Sequence, residues 1–448
     1  MARRRGASSR RRIEGRRPTP WPRAAAVAAD AGVWGMTRYQ WVVLFAAWLG
    51  WGFDVFDGLL FNFVAPVCVP RLLGVPPGDP RVSAATGAIT ASLLVGWATG
   101  GILFGFVTDR LGRSRTLLLT MLTYAVATAA CAFAPGVLTL AGFRFVAALG
   151  IGGEWAAGAS LVAEVVPERR RVAAGALLYT SAPLGIFLAT LVNDLFTKRI
   201  PALAAQPDLS WRLVFLTGLL PAVFALWIRR RVREPEAWQQ VRGTRPRLRE
   251  LFAPGLRRAT LGGLAMCLVT LLTWWGTNAF LPFVFGSLAG PDATPAVRAG
   301  YVTYASTLFN LGGLIGTLAT IPLARLGRRW LFALYFAGGA AAIWVTFGMP
   351  WEPVTRMRLL FLVGLTVFGV VGSFSFYLPE LFPVRLRGTG SGFCFNAGRY
   401  LAAAGPYAIG LAISAAPTPV SAIRWMAAVP VVGLLLVPLI VETHRPLR

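Results

Sequence analysis

Apolar residues run in long blocks separated by short polar stretches. Twelve blocks approach or exceed the ~20 residues a helix needs to cross a bilayer. They fall at about 41–68, 84–107, 116–134, 137–164, 172–193 and 211–229, then at about 258–286, 299–323, 331–349, 357–378, 390–414 and 422–441. The longest polar segment between them, 230–257, is dense in arginine and reads as a linker between two halves. The expected fold class is an all-α polytopic membrane protein. Its parts are a basic tail (1–40), a first six-helix bundle (41–229), the linker, a second six-helix bundle (258–441) and a short tail (442–448).

The two halves repeat. Leu111, Gly112 and Arg113, after the second block, recur as Leu326, Gly327 and Arg328 after the eighth. Glu164, Pro167 and Arg171, after the fourth, recur with equal spacing as Glu380, Pro383 and Arg387 after the tenth. The offsets are 215 and 216 residues, so two unrelated landmarks point to one duplication. Parallel repeats of this kind occur in transporter folds, with the substrate site near the bilayer midplane between the repeats.

Composition agrees with this pattern: 56% of residues are hydrophobic and 14% charged, unlike a soluble globular chain. The net charge of +26 does not indicate nucleic acid as a partner, because the arginines lie in tails and short loops. The positive-inside rule assigns those loops, and with them both termini, to the cytoplasm. The first 35 residues lack the apolar core of a signal peptide. They read either as a cytoplasmic tail touching anionic lipid or as sequence upstream of a start at Met36. Cys68, Cys131, Cys267 and Cys394 lie in apolar blocks and read as small buried hydrophobes. The single histidine, His444, excludes a His-dependent triad or a His-rich metal centre, and no cofactor is expected.

A few charges lie inside the blocks, where an ionised side chain costs at least ~2.5 kcal/mol. Asp54 and Asp57 in the first block are three apart and share a helix face. They sit ~20 and ~24 Å along the helix from Trp41. Arg144 in the fourth block, ~10 Å in from the other side, reaches a matching depth and is the expected counter-charge to the aspartates. A pairing that forms and breaks is the physical basis for a proton site. Asp57, nearer the outside, is expected to receive the proton first, and Asp54 to hold the pairing with a neighbour. Glu154, ~15 Å beyond Arg144, sits beside Gly150, Gly152 and Gly153, which allow close helix approach. It reads either as a titrating group or as an acceptor for a neighbour's backbone. Arg399, with Asn396 and Tyr400 beside it, is an intramembrane cation in the second half whose planar fork suits a substrate carboxylate. Asn310, Asn278 and Tyr304 are weaker polar candidates for the substrate site, and Tyr179, Trp274 and Trp275 could flank a flat substrate.

Gly105 through Arg115, containing Asp109, Arg110, Gly112 and Arg113, resembles the loop signature G-x-x-x-D-R-x-G-R-[KR]-x of the major facilitator superfamily, with Ser114 in place of the second base. Arg325 to Arg329 is similar to its degenerate copy. Asp54-x-x-Asp57, the run Gly150-Ile151-Gly152-Gly153-Glu154-Trp155 and the loop Leu378 to Gly390 resemble the aromatic-acid:proton and sialic-acid-type metabolite:proton symporters. Two departures are Ala148 where a glycine is usual and Val55-Phe56 after the first aspartate.

The resemblance implies a major facilitator fold in the cell inner membrane, acting as a monomer on protons and a small organic anion, and no enzyme activity. It implies that Gly105, Asp109, Arg110, Gly112 and Arg113 form a cytoplasmic gate, joined by Glu164, Arg171, Glu380 and Arg387. Asp109 is expected to complement the dipole of a helix that starts near it. The rival expectations are an efflux pump or uncoupled facilitator for a neutral solute, and a non-transporting sensor on the same scaffold.

Overall fold

The computed structural model describes residues 33–76, 79–243, 246–278, 281–290, 292–402, 420 and 423–444. Among these the regular structure is helical. The first half contains α1 (Arg38–Leu73), α2 (Pro80–Leu111), α3 (Arg113–Cys131), α4 (Val137–Val165), and the helical runs α5 (Glu168–Thr197) and α6 (Pro207–Ile228). The second contains α7 (Arg257–Asn278), α8 (Pro295–Leu323), α9 (Arg328–Gly348), the run α10 (Pro353–Leu381), α11 (Arg387–Ala402) and the shorter run α12 (Arg424–Leu439). Ten of these segments are long and apolar enough to cross a membrane. The eleventh expected block is described only as far as Ala402, and the end of the seventh falls in a separate seven-residue helix, Leu281–Ser287.

Helix ends are set by local chemistry. Thr37 and Gln40 form a capping box at the start of α1, and Gly74 ends it in the left-handed region at φ +66°. The turns before α3 and α9 need glycine: Gly112 stands at φ +111° and Gly327 at φ +105°. A carboxylate then caps each following helix. Glu234, after the last helix of the first half, accepts the backbone N–H groups of Arg113 (2.7 Å), Ser114 (3.2 Å) and Arg115 (2.9 Å). Glu442, after the last helix of the second half, accepts those of Arg328 (2.9 Å) and Arg329 (3.0 Å).

The duplication is visible in the packing. A Cβ built on Gly96 would stand 2.6 Å from the Phe145 carbonyl oxygen, and one on Gly100 would stand 2.0 Å from that of Leu149. Displaced by 216 residues, Gly312 meets Phe361 at 2.1 Å and Gly316 meets Leu365 at 2.0 Å. Each half thus joins its second and fourth helices through glycines that let backbones touch. The seam between halves is aromatic: Trp155 and Tyr179 pack with Phe374, Phe376 and Phe395 in one buried cluster. Along it α2 and α11 run together, with Gly105 against Gly388 and Gly392.

Candidate functional site

Two tiers of buried polar groups lie inside the first half, between α1, α3 and α4. In the first tier, Arg144 Nη1 donates to Asp57 Oδ1 at 3.0 Å, and both side chains are fully buried. Thr128 donates to the same oxygen at 2.7 Å. Arg144 Nη2 donates to the backbone carbonyls of Asp57 (3.1 Å) and Gly58 (3.2 Å). A guanidinium with several acceptors in a fixed geometry makes this a closed, neutralised pair.

The second tier is of another kind. Asp54 of α1 and Glu154 of α4 are both buried and near enough for their charges to interact. No aligned N–H or O–H donor reaches any of their four oxygens among the described residues. Two buried carboxylates placed near each other repel in a low dielectric unless a proton or a cation intervenes. The space for this approach comes from Gly50, one turn before Asp54. A Cβ there would stand 1.9 Å from Glu154 Oε1. Glu154 also lines a water-sized cavity of about 10 Å³ between the halves, together with Trp51, Trp155, Gly158, Tyr179 and Ser375. The buried Trp51 indole N–H has no acceptor among the described residues.

Arg399 of α11 faces the second tier from the other half, and its field reaches Asp54. Its guanidinium lies over the Trp97 ring (4.3 Å to the centroid) and beside Phe395 (5.2 Å), and donates to Asn396 Oδ1 at 2.9 Å. Among the described residues no carboxylate pairs with it in a salt bridge. The aromatic faces accommodate the charge and leave it able to take an anion.

At the arginine-rich end the halves are locked. Asp109, on the last turn of α2, accepts the backbone N–H groups of Gly388 (3.0 Å) and Thr389 (2.7 Å) at the start of α11. The carboxylate complements that helix dipole. Arg113 holds Asp109 (3.2 Å) and Glu164 (2.8 Å), and donates to the Val384 carbonyl at 2.5 Å. Glu164 also pairs with Arg387 of the second half at 3.2 Å. The second half has its own pair, Arg328–Glu380 at 2.9 Å.

The sequence profile of the Major Facilitator Superfamily matches residues 41–406. The chain belongs to that superfamily. It is a membrane transporter and not an enzyme. It is 26% identical over 382 residues to a gentisate transporter of Corynebacterium glutamicum, covering 83% of this chain and 81% of that one. It is 28% identical over 409 residues to the niacin transporter NiaP of Acinetobacter baylyi, covering 83% and 87%. The solved structure of the proton:xylose symporter XylE matches with a TM-score of 0.73 at 18% identity, covering 90% and 96%, which shows the shared fold.

Within this major facilitator transporter the sequence-predicted residues divide. Asp54, Asp57, Arg144 and Glu154 do come together, with a different division of labour from the one expected. Asp57, not Asp54, holds the pairing, because Arg144 and Thr128 converge on it. Asn396 orients Arg399 and is itself tied to the Gly392 carbonyl at 2.9 Å. Tyr179 lines the cavity. Tyr400 is 42% exposed and bonded to Thr99. Asn310 bonds back to Ser306 within α8 at 2.8 Å, and Trp275 stands edge-on to Trp274, so neither joins the cavity lining. Tyr304 is exposed, and the side chain of Asn278 lies outside the described residues.

At the lock, Arg110 is exposed over the Phe106 ring, and Arg171 has no ion pair among the described residues. Asp109 serves not α3, the helix that starts next in sequence, but α11 across the seam; Glu234 occupies the α3 start instead. Ser114 is buried and donates to the Val232 carbonyl at 3.0 Å, tying the loop to the linker. Sequence reasoning missed Thr128, Trp51, Trp97 and Glu234. Thr128 carried a readable signal, a hydroxyl within an apolar block at the depth of Arg144. The others are ordinary aromatic and linker residues by sequence.

Proposed function

We propose that the protein takes up a small organic anion, an aromatic acid or a similar carboxylate metabolite, together with a proton, by alternating access. The observation that carries this reading is the pair Asp54 and Glu154, two buried carboxyls with no salt-bridged cation among the described residues, with the Arg399 guanidinium, stacked on Trp97, facing them from the other half. An anion on Arg399 adds negative charge opposite Asp54, so anion and proton bind with favourable coupling, and by linkage each strengthens the other. In the outward-open state the carboxyl pair is loaded with a proton and the anion docks on Arg399. The halves then rock, the lock at Asp109, Glu164 and Arg387 parts on the cytoplasmic side, and both ligands leave. Asp57 and Arg144 keep their pairing and serve as the neutral frame. The gentisate and niacin relatives are in keeping with a ring-bearing substrate.

The test is ligand binding and uptake. In a thermal-shift screen of aromatic acids, dicarboxylates and sugar acids, one carboxylate class stabilises the wild type and fails to stabilise Arg399→Ala. Uptake of that ligand collapses with a protonophore. Uptake indifferent to both the protonophore and the arginine sinks the proposal.

A further inference from the structure

One buried polar group near the carboxyl pair has no assigned role. Tyr124 sits in the middle of α3, completely buried, with no aligned hydrogen bond for its hydroxyl among the described residues. Tyr124 and Thr128 are four apart and share one face of α3. Thr128 serves Asp57 on the first tier. Tyr124 reaches the second, with its hydroxyl against Glu154 and with Asp54 and Asp57 as its other acidic neighbours. Packing fixes the approach. Gly150 lies one turn before Glu154, and a Cβ there would stand 2.8 Å from the Tyr124 backbone nitrogen. Without a side chain at Gly150, α3 closes on α4 and delivers the phenol to Glu154. A buried hydroxyl without a partner is unfavourable, so a group held this way is matched to an acceptor that appears in another protonation state.

We propose that Tyr124 is a positioning residue of the proton site, acting as the fixed donor to Glu154 once the proton has left. In the loaded state Asp54 and Glu154 share one proton and carry one negative charge. On release that proton leaves the pair and both groups are carboxylates. Arg399 then faces Asp54, and the Tyr124 O–H turns to donate to Glu154. The phenol keeps its own proton throughout. The titratable groups facing it are Asp54 and Asp57 from α1 and Glu154 from α4, with Arg144 engaged on Asp57. The other helices on α3, α2 and α6, carry their charged residues near their ends (Arg81, Asp109, Arg110; Asp208, Arg212).

This inference rests on the proton-coupled reading. The experiment is the pH profile of uptake in proteoliposomes for wild type, for Tyr124→Phe, and for wild type with 3-fluorotyrosine placed at position 124, a stronger donor of nearly the same shape. Loss of a donor to a carboxylate moves the half-maximal pH of Tyr124→Phe upward by about one unit. The fluorinated side chain moves it downward, and this arm decides the matter if Tyr124→Phe does not fold. A purely structural tyrosine changes the amount of active protein and leaves the midpoint where it was. Coincident midpoints in a wild type that responds to the protonophore overturn the role of Tyr124 alone. A wild type indifferent to the protonophore overturns the coupled reading and this inference together.

Discussion

The two halves of the molecule kept one packing plan and divided the chemistry. At an offset of 215 or 216 residues, the contacts Gly96–Phe145 and Gly100–Leu149 have counterparts in Gly312–Phe361 and Gly316–Leu365. The same offsets set Asp109 against Ala324, Tyr124 against Gly339, Thr128 against Ile343, Arg144 against Leu360 and Glu154 against Val370. These five polar residues thus have apolar or glycine counterparts in the second half, which contributes Arg399 instead, whereas Arg113 and Glu164 of the lock recur as the pair Arg328 and Glu380. Backbone contact tolerates few substitutions, because any side chain at those glycines collides. Buried charge is unfavourable wherever it does no task, so only one copy needs to retain it. The lesson is that symmetry in such a chain reports on the frame, and departures from symmetry report on the site.

Variants that give the first half its second-half residue probe this contrast. The largest expected effect is at Arg144→Leu. It strands Asp57 in the interior and costs about 3–5 kcal/mol, read as a large drop in melting temperature. Adding Asp57→Asn removes the stranded charge and restores most of that loss. If the single variant melts like wild type, the first tier is no frame.

Asp109→Ala, again the second-half residue, removes a carboxylate from the α11 start and costs the locked state about 1–2 kcal/mol. The expected readout is a roughly tenfold larger population of separated loops, seen as longer spin-label distances between the halves at the arginine-rich end. Unchanged distance distributions would contradict the lock.

The smallest effect concerns a place where the halves stayed alike, the carboxylate caps Glu234 and Glu442. Burial opposes the charge on Glu442, and the N–H groups of Arg329, Arg328 and His444 more than offset it, so its carboxyl lies below the ordinary value. A group held low in the folded state contributes stability above its unfolded pKa of ~4.3 and loses it as pH falls through the folded value. The melting temperature of Glu442→Gln is therefore slightly below wild type at neutral pH, and the gap closes on acidification. A gap that widens with acid has the wrong sign.

Much of this was legible in the chain. Apolar block lengths and the two repeated landmarks carried the twelve-helix architecture, since block length and Arg placement are direct consequences of bilayer thickness and the positive-inside rule. Charges inside blocks are rare, so Asp54, Asp57, Arg144, Glu154 and Arg399 could be singled out one by one. Their partnering was not legible. Whether Arg144 meets Asp54 or Asp57 depends on helix rotation, about 100° per residue, which depth alone does not fix. Asp109 was assigned to the helix next in sequence, whereas its side chain projects across the seam to α11. Tyr124 escaped because a tyrosine among apolar residues looks like packing until Gly150 is seen to press it toward Glu154.

The central claim is that the Asp54–Glu154 pair carries the transported proton. It is tested most directly by counting protons taken up with substrate in proteoliposomes, in wild type and in Glu154→Gln. The account predicts measurable proton entry with the anion in the wild type. In Glu154→Gln it predicts folded, ligand-binding protein in which that proton entry is lost. Proton entry per anion that is the same in both would contradict it.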